Sequence, residues 1–231
     1  MSWRTNSIIL GMRKIGRFLG INKRIAIHIL GEGYETKYED SFSDELRPND
    51  CVWDVGANIG HYTKNFSNRV GNSGKVLSFE PSPINFINLK KVGDSLKNTT
   101  LFNFGLGDKK EKLCFQQGLD DIGATSRIVD SDVGGVEVDI CVGLDLINKG
   151  IVSPPNAIKI DVEGFEYEVL NGLGDYLKES ELRLIGIEVH FEILKNRNLE
   201  KVPILIEKML NDSGFFLRWP DPSHIVAIRV R

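Results

Sequence analysis

Two short stretches carry residue types that can build a small-molecule site. Residues 52–60 read Val-Trp-Asp-Val-Gly-Ala-Asn-Ile-Gly, and residues 76–81 read Val-Leu-Ser-Phe-Glu-Pro. The pattern is a buried strand, a glycine turn, a helix and a second strand that ends in a carboxylate. That carboxylate, Glu80, lies 24 positions after Gly56. A βαβ unit of this kind holds an adenosine-type cofactor, with the acid on the ribose hydroxyls. Gly56 lets the chain turn tightly and brings backbone close to a ligand. Gly60 permits close packing one turn later, and Glu80 can accept two charge-assisted hydroxyl hydrogen bonds. A nicotinamide dinucleotide requires G-x-G-x-x-G, which places a diphosphate on a helix N-terminus. Here the run is G-x-x-x-G, with Asp54 two residues before Gly56. An anionic side chain there suits the ammonium and sulfonium of S-adenosylmethionine better than a diphosphate. A nicotinamide-dependent oxidoreductase therefore stands as the lesser alternative.

In an open α/β sheet, ligands sit outside the carboxyl ends of the strands. The polar residues expected there are Asp54 to Gly60 with Ala57 and Asn58 between, Glu80, Asn103 to Asp108 including Gly105, Asp161, Glu163, Glu188 and His190. Singly, such acids are solvated or cap the next helix. Their convergence from distant segments points to a site. His190 is read as the only histidine at such a strand end, and its ordinary pKa suits a general base near neutral pH. The proton acceptor is left open between His190 and Asp161, with Glu163 beside them, and Asp161 also reads as a cofactor-binding residue that could orient the methionine portion. Asp161, Glu163 and Glu188 are oxygen ligands of the kind Mg²⁺ takes, but no metal is expected. Cys51, Cys114 and Cys141 lack metal-type spacing and read as thiols in a reducing compartment.

Strands alternate with helices, which implies an α/β fold with a mostly parallel sheet. Strands are expected at 51–55, 75–80, 101–106, 111–117, 136–142, 157–161 and 182–189, with a closing hairpin at 214–219 and 224–230 that supplies an antiparallel edge strand. Helices are expected at 41–47, 60–69, 84–97, up to Leu173, and at 202–212. Gly118 to Gly135 reads as a lid or binding loop, with Gly123 to Arg127 as its substrate-facing part. A helical extension, 1–48, precedes a cofactor-binding domain, 49–231. Within residues 1–31, Arg4, Arg13, Lys14, Arg17, Lys23 and Arg24 stand with no acid, and apolar residues recur at helical spacing. That segment is expected either to dock on the protein itself or to make a peripheral membrane contact. A net charge of −3 argues against a general nucleic-acid binder. No stretch reaches membrane-spanning length and no secretory signal is evident, so a cytoplasmic location is expected.

The runs Asp54 to Gly60, Phe79-Glu80-Pro81 and Ile158-Lys159-Ile160-Asp161-Val162-Glu163-Gly164-Phe165-Glu166 resemble the FkbM-type methyltransferases. Asn103 to Asp108 also resembles that family, with Gly105 where alanine is more usual. The resemblance covers roughly residues 32 to 230. It implies a class I S-adenosylmethionine-dependent methyltransferase with a Rossmann-like, seven-stranded sheet. It further implies O-methylation of a hydroxyl on a sugar, glycan or natural-product acceptor. On that basis Asp54, Gly56 and Asn58 line the methionine side, Glu80 binds the ribose, residues 103–108 flank adenine, and Asp161 and Glu163 lie near the transferred methyl group. The rival of a different class is a non-catalytic adaptor that keeps the fold and binds a membrane or partner. The acceptor and the oligomeric state are not legible in the sequence.

Overall fold

The computed structural model describes residues 34–116, 127–129 and 135–229. The first element is helix α1, Tyr34–Ser43. A βα repeat follows: β1 Cys51–Val55, α2 His61–Val70, β2 Lys75–Phe79, α3 Pro83–Gly93 and β3 Thr99–Phe102. The chain then makes β4 Gly105–Gly107, β5 Glu111–Gln116, β6 Arg127–Val129, β7 Val136–Val142 and α4 Gly143–Asn148. It returns to the main sheet with β8 Ala157–Ile160, α5 Glu166–Leu173, β9 Leu184–Glu188, α6 Phe191–Asn196, α7 Val202–Asp212, β10 Phe216–Arg218 and β11 His224–Ile228.

The main sheet has seven strands in the order β10-β11-β9-β8-β1-β2-β3. β11 runs antiparallel to β9 and β10, and the remaining pairs are parallel. Helices cover both faces, so the central strands read as near-continuous apolar runs. Every residue of β1 and of β8 is buried. On one face, Tyr38, Phe42, Phe66 and Val70 pack against Val52, Val76, Ala157, Leu184 and Val226. On the other, Leu170, Leu173, Ile206 and Leu210 pack against Trp53, Ile158, Ile160, Ile185 and Ile225. The sheet order reverses beside β1, so the carboxyl ends of β1 and β8 flank the switch point where sheets of this kind take ligands.

The α/β class and the mostly parallel sheet are as the sequence indicates. Three details differ. The helix expected at 41–47 lies earlier, at Tyr34–Ser43, because Tyr38 and Phe42 are the apolar pair, one turn apart, that the sheet buries. The single strand expected over 101–106 is broken. The Asn103 side chain bonds back to the Glu80 and Pro81 carbonyls, and the chain leaves the main sheet there. β4 then pairs with β7 in a second sheet, ordered β4-β7-β5-β6. Of the segment expected to be a binding loop, residues 118–126 and 130–134 lie outside the described residues, and Arg127–Val129 is a strand of that second sheet. The helical readings within residues 1–31 also lie outside them.

Candidate functional site

The turn after β1 is held by the end of β2. The Gly56 and Ala57 amides both donate to the Phe79 carbonyl at 3.0 Å. Gly56 has φ +78, and a Cβ there would lie 1.8 Å from the Asp161 carbonyl oxygen. Only glycine allows the β1 turn and the end of β8 to come so close. Gly60, at φ +93, opens α2. Asn58 is also left-handed, at φ +50, a conformation asparagine tolerates.

Glu80 is the clasp of this turn. Its Oε2 accepts the Asn58 amide at 2.8 Å and its Oε1 accepts the Ser82 amide at 2.9 Å. The carboxyl is 4% exposed, and burial pushes its pKa up to about 7 against the pull of those two amides. Asn103 donates from its side chain to the Glu80 carbonyl at 2.8 Å, so it braces the same corner. Gly105 is buried in β4, where a Cβ would lie 2.7 Å from Ile140 Cδ1. Among the described residues, the buried Asn58 Oδ1 finds no hydrogen-bond partner. A carboxylate with spare lone pairs beside an unpaired amide oxygen fits a ligand that brings hydroxyl and ammonium donors.

Asp54 is fully buried behind the turn. Thr63 donates to it at 2.6 Å, and Lys159 Nζ lies 3.6 Å away. Burial raises its pKa, opposed by Lys159 and Thr63. Lys159, directly across from Asp54 in the β1–β8 register, also reaches Asp161 at 3.2 Å and the Gly56 carbonyl at 3.3 Å. Burial pulls its pKa down, but Asp161 and Asp54 outweigh that and hold it above its ordinary value. Lys159 thus ties the cofactor turn to a second group of charges.

That second group surrounds one imidazole. His190 is 6% exposed and follows β9. Glu166 Oε1 lies 2.6 Å from its Nδ1, and Glu163, Asp161 and Glu188 lie 3.3, 3.6 and 4.0 Å from its Nε2. Burial disfavours the charged ring, yet Glu166 and Glu163 outweigh it and hold the pKa well above its ordinary value. Glu163 takes φ +51, which is strained for a residue with a long side chain.

The residues expected from the sequence lie near this end of the sheet, but Asp54 does not line a ligand surface as expected: it is fully buried and engaged by Thr63 and Lys159, so it supports the turn from beneath. They form two groups: Asp54, Gly56, Ala57, Asn58, Gly60, Glu80, Asn103 and Gly105 at the glycine turn, and Asp161, Glu163 and His190 around the imidazole. Three neighbours were missed. Lys159 was detectable as a charge inside a fully buried strand, where a lysine must be paired. Glu166 opens α5 and fixes the imidazole. His224 corrects the expectation of a single histidine. β11 is antiparallel, so its first residue lies across from Glu188. His224 Nε2 is 3.5 Å from Glu188 and its Nδ1 is 2.8 Å from Asp221. Against the cost of burial, those acids raise its pKa to about 9. Its ring stacks on Tyr38 of α1 at 4.1 Å.

Residues 54–218 match the methyltransferase FkbM domain family. The hexuronic acid methyltransferase AglP of Haloferax volcanii is 28% identical over 180 residues, which cover 75% of this chain and 72% of that protein. Among solved structures, methyltransferase FkbM from Methylobacillus flagellatus superposes with a TM-score of 0.54 at 20% identity. That match covers 80% of this chain but 44% of the other, so the chain spans less than half of that neighbour's length. Fibrillarin from Aeropyrum pernix, solved with natively bound S-adenosyl-L-methionine, gives a TM-score of 0.50 at 14% identity over 80% of this chain and 67% of its own. Likeness at these identities establishes a class I methyltransferase-like fold.

Proposed function

We propose a function from one premise: the chain belongs to the FkbM methyltransferase family. It is an S-adenosylmethionine-dependent methyltransferase that modifies a sugar, and the atom methylated is a hydroxyl oxygen. The observation that carries this reading is the Glu80 clasp, a buried carboxylate that holds the glycine turn by two backbone amides beside the unpaired Asn58 amide oxygen. The name of the Haloferax volcanii relative, a hexuronic acid methyltransferase, supports a sugar as acceptor.

S-adenosylmethionine supplies a methyl group on a sulfonium, so an oxygen–carbon bond forms as the carbon–sulfur bond breaks and its electron pair leaves with sulfur. The rest is the work of the chain. Glu80 takes the ribose hydroxyls, and Asn103 holds the corner that aims it. Gly56 to Asn58 present backbone and one amide side chain to the methionine portion. Asp54 and Lys159 fix the floor of the turn by their buried ion pair. Alignment of this kind supplies on the order of 7–11 kcal/mol of a barrier in well-oriented cases. An alcohol is a weak nucleophile, and removing its proton adds about 10²–10⁴-fold. The Asp161 and Glu163 carboxylates beside the His190 ring, whose raised pKa keeps it charged, accept that proton as a coupled pair.

The test is calorimetric titration with S-adenosylhomocysteine, run beside NADH and repeated on Glu80→Ala. Binding of the first ligand alone, weakened in the variant, is expected. Binding of NADH instead would move the oxidoreductase reading to the front. Methyl transfer is then assayed over uronic acid and neutral hexose oligosaccharides. His190→Ala and Asp161→Asn should lower kcat while leaving S-adenosylhomocysteine affinity nearly unchanged. Full turnover in both would remove the base assignment.

A further inference from the structure

Beside the Asp161 and Glu163 pair stands a cation that the methyl-transfer chemistry leaves unused. Arg197 caps the end of α6, its backbone amide donating to the Ile193 and Leu194 carbonyls at 3.1 and 3.2 Å. Its Nη1 donates to the carbonyl of Gly164, the residue after Glu163. Gly164 takes φ +90, and a Cβ there would meet Ile193 Cγ2 at 2.7 Å and Arg197 Nη1 at 3.5 Å. α6 therefore rests directly on the turn that carries Glu163. The same turn is tied to the imidazole, because Glu166 Oε1 accepts the Gly164 amide at 2.9 Å and lies 2.6 Å from His190 Nδ1. One short turn thus fixes both the guanidinium and the carboxylates around the His190 ring.

The plane of that guanidinium is set, and most of its donors are spare. Its central carbon lies 5.9 Å from the centre of the Phe165 ring, within cation–π range. A guanidinium has five N–H groups. Among the described residues it donates one hydrogen bond, to Gly164. The nearest carboxylate among them, Glu168, is 4.0 Å from Nη2, beyond hydrogen-bond distance. The side chain is 36% exposed, so the remaining donors reach solvent. Lys159, by contrast, is 3% exposed and committed to Asp54, Asp161 and the Gly56 carbonyl. An oriented guanidinium with free N–H groups takes a planar anion in a two-bond fork.

We propose that Arg197 reads a carboxylate on the acceptor, so that the sugar methylated is an acidic one, of the uronic acid class. The inference rests on the methyl-transfer reading and adds the charge of the acceptor to it. A uronic acid carries its carboxylate and its hydroxyls on one ring. Seating the carboxylate on Arg197 brings those hydroxyls beside the Glu163 turn. A phosphate also fits the fork, but its second negative charge is repelled more strongly by the acids of that turn.

The probes are a glucuronate-containing tetrasaccharide and the same molecule with each carboxyl reduced to a primary alcohol. Each is titrated calorimetrically into the 231-residue chain, with and without saturating S-adenosylhomocysteine. The acidic form should bind about 10–100-fold more tightly than the reduced one. Arg197→Gln should abolish that preference by weakening the acidic form alone, with S-adenosylhomocysteine affinity unchanged. Arg197→Lys keeps the charge and a donor for Gly164 but loses the fork, so it should restore only part of the preference. Equal binding of the two forms by the unaltered chain, or binding of neither, overturns the proposal without any variant. So does a preference that survives in Arg197→Gln. If S-adenosylhomocysteine binds in those cases, the methyl-transfer reading stands. An Arg197-dependent carboxylate preference without S-adenosylhomocysteine binding keeps the carboxylate site and removes the proposed function.

Discussion

Glu80 shows how one buried acid can make a binding site pH-dependent. Its pKa is raised to about 7 by burial, so in the free protein it is substantially protonated just below neutral pH. A raised acid has the reverse of the usual carboxylate effect. The folded chain holds its proton more tightly than the unfolded chain, so this group's contribution to stability falls as pH rises from the ordinary glutamate range through about 7. Binding runs the other way, because ribose hydroxyls donate to the ionised form. S-adenosylhomocysteine affinity should rise about tenfold between pH 6 and pH 8, by the change in ionised fraction. Calorimetry across that range checks it, and Glu80→Gln should be weak and flat. Gly56→Ala makes a different point. Its Cβ would enter the Asp161 carbonyl at 1.8 Å, at a φ of +78. That variant should lose S-adenosylhomocysteine binding and more than about 1 kcal/mol of stability in thermal unfolding. Both residues were legible in the sequence, because glycine after a buried strand and an acid at the next strand end leave few other readings. His224 was not legible. Its place depends on an antiparallel register that only the assembled sheet defines.

Elements were readable where burial covers both faces. β1 and β8 are unbroken buried runs bounded by turns, and their expected and observed positions agree within a residue. The second sheet was hidden because β4 and β6 are three residues each, too short to show a period. α1 was misplaced because its burial is decided by its partner. Gly186 of β9 has no side chain, and a Cβ there would meet Tyr38 Oη at 2.4 Å and Phe42 Cδ2 at 2.6 Å. The helix lies directly on that bare backbone, and Tyr38 continues from it to the His224 ring. α1 is thus coupled to the Asp221, His224 and Glu188 side of the site. Phe42→Ala removes a ring that is 1% exposed and should cost about 3–5 kcal/mol in urea unfolding. A cost below about 1 kcal/mol would mean that α1 contributes little to the packed core.

Charge is divided along the whole molecule. The chain carries a net charge of −3, yet residues 1–31 hold six basic residues and no acid. The part that folds around the site is therefore the acidic part, and the basic segment lies outside the described residues. No helix among the described residues is long and apolar enough to cross a membrane. An acidic catalytic body would be repelled by an anionic bilayer, so any surface contact falls to the basic segment. Each Lys or Arg near such a surface contributes about 1 kcal/mol. Six of them, with Trp3 and Phe18 to insert, are enough for reversible attachment that salt should weaken. The 231-residue chain should cosediment with phosphatidylserine-containing vesicles at low salt and come off as salt rises. A chain lacking residues 1–31 should stay in the supernatant and keep its S-adenosylhomocysteine affinity, since the Glu80 clasp uses none of that segment. If the shortened chain sediments as well as the full one, attachment comes from elsewhere. If it loses the ligand instead, the segment belongs to the catalytic body and its charge serves the acidic site rather than a membrane.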